Sequence, residues 1–425
     1  MMTALLCADG FLLIIYHIAN GETNIVSAGF EKLYITIPIL TIIFGLVQSI
    51  KEYSFPGWLR RNWLVLLYIT LRLASCISND LTSDPGFWLS ISYEIMFLIA
   101  INNVTAKSIT IRIFICSLIA FDLIAISICS YHFFFLKDLM TSAAGSYQAL
   151  VRAGLPFTMI FTNQNPAGML AGLTASACIL QLGTSSKSLK LLLSAIIAIN
   201  VMFLLWSRSL TAFVGIVLIL AISIARAYLK TINYKAVISS ALVLCVAVMI
   251  PVYVITLSSN QETKLQNSTE EILLNSLSSG RYNIWKEHIL SQEGHYLLGF
   301  GTSSKAVGAR TEYIKNSNAD ETIQVDETHQ AMETRTDLGF HNGYLELVVT
   351  AGVPAAILVF IILLSKIMNM ENDFIDKHPI TLLLLFLFWI NVLESRFLVS
   401  GVRYTTFLIM LLINMSYEES NEENT

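Results

Sequence analysis

The chain alternates long apolar runs with short polar connections, and the runs carry no period-2 pattern. Runs of about 17–25 residues recur, long enough as helix to cross roughly 30 Å of hydrocarbon. They predict twelve spans, at 3–18, 33–50, 62–78, 87–102, 110–131, 165–182, 189–206, 209–226, 236–256, 342–365, 379–395 and 400–416. One connection is far longer than the rest. The chain therefore divides into a bundle of nine spans over 1–256, a large polar loop over 257–341, three further spans over 342–416 and an acidic tail over 417–425. No internal repeat is visible.

Within the large loop the first half has helical texture. Ser278 or Ser279 is placed to cap a helix whose face carries Ile284, Trp285, His288 and Ile289. The second half, 303–337, is rich in Thr, Asn, Asp and Glu, shows almost no apolar periodicity and reads as a mobile segment. The connection 132–164 is long enough for a re-entrant or interfacial helix.

Composition fixes the class. With 55% hydrophobic residues, 13% charged residues and a mean hydropathy of +0.65 over 425 residues, a soluble domain could not cover its surface with polar groups. The reading is an all-α integral membrane protein. Lys51, Arg60, Arg61, Lys107, Arg112, Lys187, Lys190, Arg226, Lys230, Lys235, Lys366 and Lys377 fall in connections of one side, which the positive-inside rule makes cytoplasmic. Both termini then lie inside and 257–341 lies outside. The first apolar run lacks a basic lead and a small-residue cleavage site and reads as a span, not a signal peptide. The net charge of −4 says little about partners, and no nucleic-acid partner is expected. Cys7, Cys76, Cys116, Cys129, Cys178 and Cys245 all fall in apolar segments, which argues against a disulfide framework or a thiolate metal site.

Ionisable residues inside spans are costly and mark candidates for function. Here they are Asp9, Arg72, Glu94, Asp122, Arg208, Glu394, Arg396 and Arg403, with mutual pairing as the plain alternative for Asp9, Glu94 and Asp122. Arg208 lies in the tight turn between the seventh and eighth spans, where its guanidinium fork suits a phosphate or carboxylate, or merely snorkels to the interface. Arg281 follows Ser-Ser-Gly and opens a helix, so an anion there also meets backbone N–H groups and the positive helix end. Trp285 and His288 share its face; the indole either stacks on a sugar or packs the loop onto the bundle. His341 begins the tenth span and is placed to take a proton from a hydroxyl, or to serve as a hydrogen-bonded structural residue. Asp320, Glu321, Asp326 and Glu327 match no cation-loop spacing and read as a solvated segment.

Taken in order, Gly280-Arg281, Trp285, Leu297-Leu298-Gly299-Phe300-Gly301, His341-Asn342-Gly343-Tyr344-Leu345 and Ala351-Gly352-Val353 resemble the signature of the bacterial O-antigen ligase and polymerase family. Ser207-Arg208-Ser209 and Asn163-Gln164-Asn165-Pro166 are similar to two further motifs of that family. The resemblance covers about 160–365 by motif and the whole chain by topology, and the acidic insert 303–337 departs from it. It implies a GT-C-like membrane glycosyltransferase of the inner membrane, working at the periplasmic face on an undecaprenyl-diphosphate-linked oligosaccharide. Arg208 and Arg281 would bind the diphosphate and His341 would act as base on an acceptor hydroxyl. Trp285, His288, Asn342 and Tyr344 would contact substrate. Neither a metal nor a cofactor is expected; the partners are the lipid-linked donor, an acceptor glycan lipid and membrane lipid, with a chain-length regulator admitted as a further one.

The resemblance inclines to the polymerase, which extends another lipid-linked repeat unit, over the ligase, which joins the glycan to lipid A core. A transporter or lipid flippase is the alternative from another class. It would gather Arg72, Glu94 and Asp122 along a path near mid-membrane, whereas a transferase would gather Arg208, Arg281 and His341 at one outer cavity. No inverted repeat or matched pair of broken helices favours the transporter.

Overall fold

The computed structural model describes residues 55–103, 164–183, 185–229, 232–259, 281–319, 340–370 and 372–394, parts of 115–127 and a few isolated positions. The expected spans 3–18 and 400–416, nearly all of 33–50, the connection 132–163, the acidic tail, Asp9, Asp320, Glu321, Asp326, Glu327, Arg396 and Arg403 lie outside the described residues.

Among the described residues every regular element is helical. Two helices come first, α1 (Phe55–Ser78) and α2 (Pro85–Asn103). The central group is α3 (Gln164–Leu182), α4 (Lys187–Ser207), α5 (Leu210–Tyr228), α6 (Tyr234–Ala247) and α7 (Met249–Ser259). Among the described residues three helices, Lys187–Ser207, Leu210–Tyr228 and Tyr234–Leu257, are long and apolar enough to cross a membrane, the last running through α6 into α7. They turn large apolar side chains such as Leu191, Leu205, Leu210, Leu244 and Val254 outward, as a helix facing lipid does and a soluble helix does not.

Lipid tails give helices no hydrophobic reason to associate, so close packing of small residues and internal hydrogen bonds must do it. The chain supplies both. From Ala167 to Cys178 every residue of α3 is buried, and a Cβ added at Gly168 would fall 2.2 Å from Cβ of Ser209. Lower down, Gly215 of α5 leaves room for the Phe386 ring, which a Cβ there would meet at 2.5 Å. Phe386 belongs to α13 (Leu383–Leu393), entered through a 3-10 turn at Pro379–Leu382 and preceded by the short α12 (Asn372–Lys377).

The loop between α7 and the tenth expected span carries α8 (Arg281–Ser291) and α9 (Ser303–Ala319). The second of these corrects the expectation of a mobile segment from 303. Thr302 accepts the Lys305 N–H at its hydroxyl (3.3 Å) and starts the helix. Ala306, Arg310 and Ile314, four residues apart, are all buried. The stripe is hidden from a hydrophobicity reading because its middle member is an arginine, neutralised by Glu287 of α8 (Arg310 Nε to Oε2, 2.8 Å).

The tenth expected span, 342–365, is also not one helix. It breaks at Gly352 (φ 86°) into α10 (Gly343–Ala351) and α11 (Val353–Met368). In an unbroken helix the Thr350 carbonyl would accept from residue 354, and Pro354 has no N–H to give. The freed carbonyls are taken by the Leu297–Gly301 strip: Phe300 N–H donates to Val349 O (2.9 Å), Gly301 N–H to Thr350 O (2.8 Å), and Val353 N–H returns to Tyr296 O (2.9 Å). The approach is so close that a Cβ on Gly299 would lie 2.5 Å from Thr350 O and one on Gly352 2.3 Å from Leu297 O. Two of the family-like motifs are thus the two halves of one backbone clasp.

Candidate functional site

α8 begins where Ser278 Oγ accepts the Tyr282 N–H (2.8 Å); of the two serines expected as the cap, Ser278 makes this bond and Ser279 lies outside the described residues. The Arg281 N–H also turns back, to Ser278 O (3.3 Å). Two of the first-turn donors expected to meet an anion are therefore occupied, and the guanidinium of Arg281 carries the positive charge at this helix start. Its Nη2 donates to Glu394 Oε1 at 2.9 Å, with the side chains 16% and 4% exposed. On the other oxygen, His341 Nδ1 lies 3.7 Å from Glu394 Oε2, its ring 24% exposed. One carboxylate joins a cation on α8 to an imidazole at the head of α10.

Glu394 stands directly past the end of α13, at the negative end of the helix dipole. A carboxylate is disfavoured there unless cations face it, and Arg281 does. His341 is held from both sides. Before it, Phe340 gives its carbonyl to Trp285 Nε1 (3.0 Å) and its ring to a stack on His288, centroids 3.9 Å apart. After it, Asn342 caps α10 by accepting the Leu345 N–H (2.8 Å) and donates to Val392 O (2.6 Å) and Met249 Sδ (3.0 Å). His341 itself sits at φ 49°, a left-handed conformation uncommon for a non-glycine residue.

Arg208 shares that property. It caps α4 at φ 56° with its side chain exposed, between Ser207 and Ser209, both buried beside Gly168 of α3. Of the three non-glycine residues with positive φ among those described, Arg208 and His341 are two and Asp80 is the third. Such backbone strain gathers at functional sites. Trp389 Nε1 donates to Thr211 O (2.9 Å), which sets the last turns of α13 beside the start of α5. Arg208, Arg281, His341 and Glu394 accordingly lie toward the same end of the bundle.

The residues expected to contact substrate are placed otherwise. Trp285 is 4% exposed with its N–H satisfied. Tyr344 is buried and donates to Phe388 O (2.9 Å), and Asn342 has its three bonds inside the protein. These side chains fix α8 and α10 against α13. His288 is buried with neither ring nitrogen hydrogen-bonded; burial, with Arg310 and His341 close by, holds its pKa well below the usual value, so the ring is neutral.

Among the described residues, Arg72, Glu94 and Asp122 do not gather along one path. Arg72 and Glu94 make a closed pair, 2.7 Å from Nε to Oε2 with both side chains fully buried. Asp122 lies apart, beside Asn200 and Cys178. The member of this candidate site that sequence reasoning passed over is Glu394, noted only as a costly charge in a span. A lone acid after twelve apolar or amide residues, opening the polar triplet 394–396, was the available signal.

Neither the curated proteins nor the solved structures yield a match. Residues 193–360, from α4 through the clasp into α11, match the family model described as O-antigen ligase. Over this segment the chain is similar to the O-antigen ligase family.

Proposed function

We propose that the chain transfers a glycan from an undecaprenyl-diphosphate-linked donor to an acceptor sugar hydroxyl, at the periplasmic face of the inner membrane, as a surface-polysaccharide polymerase. The observation that carries this reading is the bridge from Arg281 through Glu394 to His341, set toward the bundle end that carries Arg208.

Displacing a lipid diphosphate from an anomeric carbon requires removal of the acceptor's proton and stabilisation of charge on the leaving group. His341 takes the proton. Glu394 faces the imidazolium that results and holds the ring's orientation, as a carboxylate behind a catalytic histidine does. Arg281 spends one of its three nitrogens on Glu394 and presents the others to the diphosphate, with Arg208 as the second cation. The loop helices α8 and α9 form the outer part of the site and the spans on either side hold the lipid portion.

The ligase reading rests on the function for which the matching family is described and shares every donor-side step. A deletion strain separates the two. Lipopolysaccharide core carrying a single repeat unit supports the polymerase; bare core with long chains retained on undecaprenyl supports the ligase. An unchanged glycan profile overturns both for this polysaccharide. The chemistry is tested by His341→Ala, expected to slow transfer by at least about 10²-fold; a near-normal rate removes His341 from the reaction.

A further inference from the structure

We infer that Arg72, far from the transfer site in the chain, is a positioning residue for it, acting through α10. The inference rests on the reading of His341 as the base.

The Arg72 guanidinium is fully buried, and each of its three nitrogens has a partner. Nε donates to Glu94 Oε2 (2.7 Å) and Nη2 to Glu94 Oε1 (3.0 Å). Nη2 also donates to Gly301 O (2.9 Å), and Nη1 to Thr350 O (3.1 Å). Glu94 in turn accepts from Tyr68 Oη (2.7 Å) and Ser90 Oγ (2.9 Å). The carbonyl at Thr350 is the one that Pro354 leaves without a helical donor, and the carbonyl at Gly301 ends the strip that clasps the break. One cation on α1 thus holds both halves of the clasp at the negative end of α10, where a positive charge is favoured.

α10 is a short rod with the base at its other end. Its nine residues span roughly 13 Å at 1.5 Å each, with Asn342 and His341 at the head and Thr350 at the foot. All but Val348 are buried. A rod held at its head by Asn342 and at its foot by Arg72 has little freedom to slide, and a base misplaced by about 1 Å costs on the order of 10²-fold in rate. Stability alone does not call for an ion pair here: a buried pair replaced by apolar side chains of similar size is often as stable or more so. What the apolar replacement loses is the fork that grips Thr350 O and Gly301 O.

The test follows from that difference. The triple variant Tyr68→Phe, Arg72→Met, Glu94→Leu removes the network without leaving a buried charge. In lipid nanodiscs it is expected to melt within a few degrees of the wild type. It is assayed with undecaprenyl-linked repeat unit extracted from the deletion strain, which serves as both donor and acceptor, and kcat is expected to fall by tenfold or more with KM for the glycan little changed. A wild-type kcat in this folded variant overturns the inference. Should the triple variant fail to fold, Arg72→Lys decides: its compact ammonium keeps the charge against Glu94 but cannot reach both carbonyls, so kcat falls without loss of fold, and a wild-type kcat overturns the inference. His341→Ala run in parallel keeps the two readings apart. Retained activity there removes the proposed chemistry, whereas an inactive His341→Ala beside a fully active triple variant removes only the role of Arg72.

Discussion

Glu394 is the residue on which the candidate site turns, because it lies against both Arg281 and His341. Glu394→Gln keeps the shape and removes the charge, leaving Arg281 without its counter-ion and His341 without a carboxylate behind it. Transfer is expected to fall at least about tenfold with the protein still folded, and a wild-type rate would return Glu394 to a purely structural place. His288 makes a second prediction, of stability and not of rate. Its folded pKa is depressed by burial and by Arg310 and His341, while the unfolded chain titrates near the ordinary value of about 6.5. Below that value the unfolded state binds the extra proton, so the stabilisation present above it is lost as pH falls toward the folded pKa. Melting temperature should drop between about pH 7 and pH 5. His288→Phe, which keeps a ring on Phe340, should flatten the drop; an identical slope in the variant would acquit His288.

Among the elements, the clasp between Leu297–Gly301 and the α10–α11 break has the least tolerance. Gly299 combines φ 63° with backbone atoms of Thr350 and Gly352 within 2.6 Å of where a Cβ would be. Gly299→Ala should destabilise by about 1–3 kcal/mol from strain alone, more with the clash, and a thermal melt of the purified variant checks it. The sequence carried much of this at element level and less at the level of contacts. Gly299, Gly301 and Gly352 were visible as motif members, yet that they face one another depends on 50 intervening residues whose path no local pattern encodes. The common face of Trp285 and His288 followed from their spacing, but what that face meets, Phe340, did not. α9 was hidden because Arg310 occupies an apolar stripe and finds its counter-charge on another helix. Tertiary partners, not local propensity, decided each case.

At the scale of the molecule, α4 is a ruler. Its 21 residues run roughly 31 Å, about the thickness of the hydrocarbon, with Lys187 and Lys190 at one end and Arg208 at the other. The orientation proposed above, by the positive-inside rule, has Arg208 and the loop helices on the outer side. In a cysteine-free background, Ser304→Cys on the exposed face of α9 should react with a membrane-impermeant maleimide added to intact spheroplasts, and Lys187→Cys should not. The reverse pattern would turn the protein over and place the candidate site in the cytoplasm.

The left-handed backbone at His341 separates two costs that substitution normally mixes. Alanine there removes the imidazole and keeps the steric objection to φ 49°, whereas glycine removes the imidazole and the objection together. His341→Gly should therefore leave a relaxed chain around a hole of imidazole shape, open to solvent on one side and backed by Glu394. Free imidazole in the buffer is a diffusible copy of the missing side chain, and restored transfer on adding it would supply the base from outside the protein.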